Sequence, residues 1–118
     1  MYTVNPYFGS TADLTALVAA LHARGMWLML DVVGNHMGIP PNYDPSAFVP
    51  FNSPTNYHDC STCPSGCNIN DYTNLVQMEH CRLDGLYDLN QSNPWVASQL
   101  LAWITNITTT YSVDGLRL

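Results

Sequence analysis

The chain has 118 residues, the length of one ordinary domain, and its 47% apolar residues exclude a chain that is disordered by composition. Its formal net charge is −6, with three arginines and no lysine. Nucleic acids and anionic membrane surfaces need basic patches, so we expect neither as a partner. No apolar run approaches the roughly 18 residues of a membrane span.

A first helix is predicted to begin after Ser10. Ser10 and Asp13 have the spacing of a capping box, in which each side chain bonds the backbone N–H of the other. Apolar residues then recur on one face at helical spacing: Leu14, Leu17, Val18 and Leu21. Gly25 follows as a stop signal.

A strand is predicted next, from Met26 to Val33, because this run is apolar except for Asp31. A continuous apolar run after a helix indicates a strand buried on both faces, and therefore a parallel sheet. Residues 34–92 lack sustained periodicity and contain all four cysteines. A structureless loop of that length is uncommon, so we interpret it as an inserted subdomain.

A second helix is predicted from Asn93, with Pro94 at its first position, and a second strand at 115–118. The helix has an apolar face made of Val96, Leu100, Trp103, Ile104 and Ile107. The domains are then a barrel segment at 1–33, the insertion at 34–92 and a second barrel segment at 93–118. This order fits part of a parallel α/β fold, and about two strands of a (β/α)8 barrel, which takes about 250 residues.

The cysteines and two sequons, at Asn90 and Asn106, indicate an oxidising, secretory environment. No signal-peptide-like leader follows Met1. We therefore expect the chain to be an internal part of a longer, secreted protein.

Two ordered segments resemble the α-amylase family of retaining glycoside hydrolases. Residues 31–36, Asp-Val-Val-Gly-Asn-His, are similar to its first conserved segment at the end of the third barrel strand. Residues 115–118, Gly-Leu-Arg-Leu, are similar to the opening of the second segment, on the fourth strand. Residues 21–26 resemble the helix-to-strand approach of fungal members, and the insertion lies where the family has its second domain, domain B.

The resemblance implies a calcium site formed by Asn35, Glu79 and Asp88. Calcium takes six to eight oxygen ligands, and these side chains supply amide and carboxylate oxygens. From spacing alone the same residues would be a turn cap, a solvated side chain and a turn start.

The resemblance also implies that the His36 imidazole donates a hydrogen bond to a sugar hydroxyl and that Tyr72 stacks on a glucose ring. The alternatives are a structural histidine and an aromatic residue of the subdomain core. Asp31 is implied to be structural, and Arg117 to support a nucleophilic aspartate expected just after Leu118. No catalytic carboxylate is then expected in the chain itself.

The cysteines leave two interpretations. The resemblance implies a Cys67–Cys81 disulfide, with Cys60 and Cys63 forming a local disulfide or remaining reduced. The alternative is a zinc site of the four cysteines, with His58 and His80 in reserve.

The function implied is endo-hydrolysis of α-1,4-glucosidic bonds of starch or malto-oligosaccharides, by a monomeric, secreted parent enzyme, with the 118-residue chain itself inactive. The alternatives are a related α-glucosidase or glucanotransferase, and a non-enzymatic, metal-stabilised binding module.

Overall fold

A computed structural model describes residues 3–118, and the chain divides into two compact units. One unit is Met1–Val33 with Gln99–Leu118, and the other is Gly34–Ser98. The elements in chain order are α1 (Thr11–His22), β1 (Met29–Asp31), β2 (His36–Met37), α2 (Leu75–His80), β3 (Tyr87–Asp88), α3 (Pro94–Tyr111) and β4 (Gly115–Arg117). The predicted boundary at 92/93 lies at the start of α3, whereas the units divide within this helix. No helix across 3–118 has the length and apolar character needed to cross a bilayer.

The capping box at the start of α1 is confirmed. The Ser10 hydroxyl accepts a hydrogen bond from the backbone N–H of Asp13, and the Asp13 carboxylate accepts one from the backbone N–H of Ser10 at 2.7 Å. The Ser10 backbone bond holds the pKa of Asp13 below its usual value. Val18 on the predicted face is buried, but Leu17 on the same face is 50% exposed.

Strands β1 and β4 pair in parallel, as predicted, with Leu30 opposite Leu116. The prediction of an eight-residue strand buried on both faces was wrong. β1 has three residues, and Met29 is 64% exposed. The reason is that a ladder extends only as far as its partner. β4 also has three residues and is the single neighbour of β1 in the described part of the chain.

The core of this first unit forms on one face of the sheet. Val32, Ile107 and Tyr111 are buried together, with Leu30 and Leu116 packed partly against them. Helix α3 supplies Ile107 and Tyr111 from the predicted apolar face and the turn beyond it. Its start is capped as expected, because the Asn93 side chain accepts a hydrogen bond from the backbone N–H of Trp95 at 3.0 Å.

The second unit is largely irregular and has its own core. Phe51 and Leu89 are fully buried, and Tyr57 and Tyr87 nearly so. Three 3-10 helices, each opening on a proline, form its first half: Pro41–Tyr43, Pro45–Ala47 and Pro54–Asn56. The sequence did not predict α2, whose six residues are too few for an apolar periodicity to stand out.

The disulfide pairing differs from the one expected. Cys60 pairs with Cys67, and Cys63 with Cys81, so the predicted Cys67–Cys81 disulfide was wrong. Two consecutive turns fold residues 60–67 back on themselves: the Cys63 N–H bonds the Cys60 carbonyl, and the Cys67 N–H bonds the Pro64 carbonyl. The Cα atoms of Cys60 and Cys67 thereby come within 5.3 Å, which leaves Cys63 to pair with Cys81.

The contacts of the Asp114 carboxylate make the stability of the first unit depend on pH. The Asp114 carboxylate accepts a hydrogen bond from the backbone N–H of Leu28 at 2.8 Å and lies 2.9 Å from Nε2 of His22. The Leu28 bond, followed by the His22 contact, holds the pKa of Asp114 below its usual value of 3.8. The ionised Asp114 carboxylate therefore stabilises the folded state fully above its unfolded-state pKa. This stabilisation is lost as the pH falls through the lower pKa of the folded state.

We expect Asp114→Ala to lower the thermal midpoint at pH 7, and the difference from the native chain to shrink as the pH falls below about 4. Thermal melts followed by circular dichroism between pH 7 and pH 2 measure this. The control is Asp84→Asn, which removes an exposed carboxylate of the other unit. A difference that stays constant down to pH 2 would contradict the assignment.

Candidate functional site

A polar cavity of about 490 Å³ in the second unit brings together the three residues predicted to bind a metal. Its lining is Asn35, His58, Met78, Glu79, His80, Asp88, Gln91 and Ser92. We call it the polar cavity. Carboxylate, amide and hydroxyl oxygens dominate its polar groups.

Pairing of β2 with β3 positions Asn35 and Asp88. His36 lies opposite Asp88 in the antiparallel pair, and the backbone N–H of Leu89 donates to the Asn35 carbonyl at 2.8 Å. Residues directly before and within these short strands therefore meet at one wall of the cavity. The Gln91 side chain donates to the Gly34 carbonyl at 3.3 Å, which connects the segment after β3 to the segment before β2.

Helix α2 carries Glu79 and His80 to the same cavity. Asn74 caps the helix by accepting from the backbone N–H of Gln77. The Gln77 side chain in turn accepts from the backbone N–H of Asn70 at 2.9 Å, which fixes the preceding loop to the helix. Glu79 remains exposed, so its carboxylate is free to turn towards a ligand.

Asp88 is the most buried acid of the polar cavity, and its partner is His58. Nδ1 of His58 lies 2.6 Å from the Asp88 carboxylate, with side-chain exposures of 12% and 14%. Burial raises the pKa of Asp88 above its usual value, and the hydrogen bond from His58 opposes this rise. His58 also contacts His80 edge-on, with ring centroids 4.6 Å apart. From the sequence, His58 was only a reserve zinc ligand, because no local signal links it to Asp88, 30 positions further along the chain.

The donor chemistry of the polar cavity fits a hard cation. Asn35, Glu79 and Asp88 offer the oxygens that calcium prefers. Within residues 3–118, no three His, Cys, Asp or Glu side chains converge closely enough to hold an ion by themselves. A bound ion would therefore need the Asn35 amide, water or backbone oxygens in addition. The four cysteines of the alternative zinc site are not available as ligands, because all of them are in disulfides.

A smaller cavity of about 170 Å³ brings together the two residues predicted to contact substrate, His36 and Tyr72. Nδ1 of His36 lies 3.2 Å from the Met37 carbonyl, and because a carbonyl can only accept, Nδ1 is the donor in this bond. Tyr72 is 61% exposed, so it is not part of the subdomain core. Ile69 and Leu83 supply apolar wall. We call this the His36–Tyr72 cavity.

Asp31 and Arg117 lie opposite each other on β1 and β4 and form an ion pair with a nitrogen-to-oxygen distance of 2.9 Å. Their side chains are 67% and 72% exposed, so solvent screens the pair. The arginine predicted to support a catalytic carboxylate is thus paired, at the surface, with the aspartate predicted to be structural.

Comparison with known proteins identifies the family. The family model described as "Alpha amylase, catalytic domain" matches residues 1–118. Alpha-amylase 1 of Lipomyces kononenkoae is 36% identical over all of this chain, which corresponds to 19% of that protein. The α-amylase structure of Malbranchea cinnamomea is 39% identical with a TM-score of 0.80, over 98% of this chain and 25% of that one. The wild-type α-amylase I structure of Eisenia fetida is 26% identical with a TM-score of 0.86, over 99% and 26%.

The chain belongs to the α-amylase family, and its fold is part of that family's (β/α)8 barrel. It spans about a fifth to a quarter of the length of these relatives.

Proposed function

We propose that this chain is a segment of a secreted, monomeric, retaining α-amylase that endo-hydrolyses α-1,4-glucosidic bonds of starch and malto-oligosaccharides. The observation that carries the proposal is the His36–Tyr72 cavity in a chain matched over its full length by the family model. The two disulfides support secretion, because such bonds persist in oxidising compartments.

In this proposal Tyr72 stacks against the apolar face of a glucose ring, and His36 hydrogen-bonds one of its hydroxyls. An exposed aromatic ring beside an imidazole gives a sugar both kinds of contact it can make. The aliphatic walls at Ile69 and Leu83 exclude water from the apolar side of the ring.

We further propose that Asn35, Glu79 and Asp88 bind calcium in the polar cavity. When bound, the ion would supply positive charge to a buried carboxylate and link α2 to the β2–β3 pair. The raised pKa of Asp88 supports this, since burial penalises a carboxylate that lacks enough compensating charge.

The segment itself is proposed to lack hydrolytic activity. Retaining glycosidases need two carboxyl groups about 5–5.5 Å apart, one as nucleophile and one as acid and base. Most carboxylates here are engaged in local structure: Asp13, Asp44, Asp59 and Asp71 accept hydrogen bonds in caps and turns, and Asp31, Asp88 and Asp114 have basic partners. The single glutamate, Glu79, belongs to the proposed calcium set.

We expect the purified 118-residue protein to bind maltotriose without releasing reducing ends from starch. His36→Ala and Tyr72→Ala should each weaken binding by about three- to tenfold, the equivalent of one hydrogen bond or one aromatic contact. Isothermal titration and a reducing-sugar assay measure the two properties. Tyr7→Ala, which removes an exposed ring of the other unit, is the matched control.

Starch hydrolysis by the verified 118-residue protein would contradict the proposed inactivity. Binding that is equally strong in the native chain and in both variants would contradict the proposed substrate contacts.

A further inference from the structure

A third cavity in the second unit, of about 270 Å³, has no role in the function proposed above. Three tyrosines line it, Tyr43, Tyr57 and Tyr87, together with Arg82 and Asp59. We call it the tyrosine pocket. Its volume lies just below the roughly 300–1,000 Å³ of small-molecule sites.

Tyr43 is held at this pocket in an unfavourable backbone conformation. Its φ is 58°, in the left-handed region that bulky residues rarely adopt, and the preceding Asn42 has a φ of 54°. The Tyr87 hydroxyl donates a hydrogen bond to the Tyr43 carbonyl at 2.8 Å and fixes this conformation. The Tyr43 side chain is nevertheless 73% exposed. Residues in such a strained backbone conformation persist where the surrounding structure fixes them, and they are enriched at ligand sites.

The other two tyrosines form a rigid floor. Their rings pack edge-to-face with centroids 5.4 Å apart. The Tyr57 hydroxyl donates to the Phe51 carbonyl at 2.6 Å, and burial raises the pKa of Tyr57 to about 12. Tyr57 is therefore neutral at physiological pH and serves as an apolar surface.

Arg82 supplies hydrogen-bond donors above this floor. Its guanidinium carbon lies 3.7 Å from the centroid of the Tyr87 ring, so the group is stacked and its orientation is restricted. No carboxylate in the described chain is within ion-pair distance of it. Asp59, whose carboxylate accepts a hydrogen bond from the backbone N–H of Ser61 at 2.9 Å, supplies an ordered acceptor in the same pocket.

We propose that the tyrosine pocket is a second carbohydrate-binding position, in which Tyr43 stacks on a pyranose ring while Arg82 and Asp59 hydrogen-bond its hydroxyls. A neutral sugar fits better than an anion, because Asp59 offsets Arg82, His58 of the lining is already paired with Asp88, and the chain is acidic overall. The ligand class, an α-glucan, rests on the function proposed above. The residues are different from those of the His36–Tyr72 cavity, so the two positions can be tested separately.

The experiment is a maltotriose titration of the ¹⁵N-labelled 118-residue protein, followed by amide chemical shifts. We expect two groups of shifts, one around Tyr43 and Arg82 and one around His36 and Tyr72. Tyr43→Asn should weaken binding for the first group by about tenfold and leave the second within about twofold. Asparagine is chosen because it tolerates the left-handed backbone and keeps the carbonyl that Tyr87 bonds. Arg82→Met, which keeps packing on Tyr87 and removes the donors, is the second variant.

Tyr72→Asn is the matched control and should affect only the second group. Shifts around His36 and Tyr72 without any around Tyr43 would overturn this inference and leave the proposed function intact. Shifts around Tyr43 with sodium phosphate, and none there with maltotriose, would identify an anion site and also overturn it. Shifts around Tyr43 alone would support the inference and count against the proposed role of His36 and Tyr72.

Discussion

Replacing Cys63 and Cys81 together by serine should lower the free energy of unfolding by about 3 kcal/mol. The disulfide closes a loop with a sequence separation of 18 in the irregular second unit, so it removes much conformational freedom from the unfolded chain. Replacing Cys60 and Cys67, with a separation of 7, should cost less, about 2 kcal/mol. Urea denaturation of the native chain and the two double variants measures both values.

The single variant Cys67→Ser distinguishes this pairing from the Cys67–Cys81 pairing that the family resemblance implied. With the observed disulfides, the thiol left free is that of Cys60, and Cys63–Cys81 stays intact. With the other pairing, Cys81 becomes free. Alkylation of the unreduced variant followed by mass spectrometry identifies the free cysteine, and a labelled Cys81 would refute the pairing described here.

Calcium at 1 mM should stabilise the protein by about 4 kcal/mol if its dissociation constant is near 1 μM, and a chelator should reverse this. The gain should disappear in Asp88→Asn and fall in Glu79→Gln, because each removes one carboxylate of the proposed set. Thermal melts with calcium and with chelator measure the difference. Asp59→Asn, which removes a carboxylate outside the polar cavity, should keep the full gain.

In the chelated state the same Asp88→Asn variant should be at least as stable as the native chain at pH 7. The pKa of Asp88 is raised by burial, so its ionisation costs stability once the pH exceeds the unfolded-state pKa. Asparagine keeps an oxygen that can accept the hydrogen bond from His58 and avoids that cost.

Equal melting of the native chain with calcium and with chelator would refute the metal site.

Elements with local signals were predictable. The capping box at Ser10, the cap at Asn93 and the buried face of α3 at Val96, Leu100 and Ile107 were each evident within a few neighbouring residues. The parallel pairing of β1 with β4 followed from an apolar run and a helix between the strands. The length of β1 did not follow, because it depends on a partner more than 80 residues away.

The residues of the two candidate sites were predictable from the sequence, but the contacts among them were not. Motif resemblance singled out Asn35, His36, Tyr72, Glu79 and Asp88, and two adjoining cavities bring them together. The contact of His58 with Asp88 was not predictable, since the two residues meet only through the chain reversals that lie between them.

The sequence by itself determined the family, the start of α1, the start of α3 and the residue types available for binding, because these depend on local order along the chain. Only the tertiary structure decided which cysteines pair, how far the sheet extends and how the tyrosine pocket forms. Each of these depends on residues distant in sequence coming within a few ångströms. In an irregular unit like Gly34–Ser98, without a sustained periodicity, turns and packing fix those distances, and composition does not encode them.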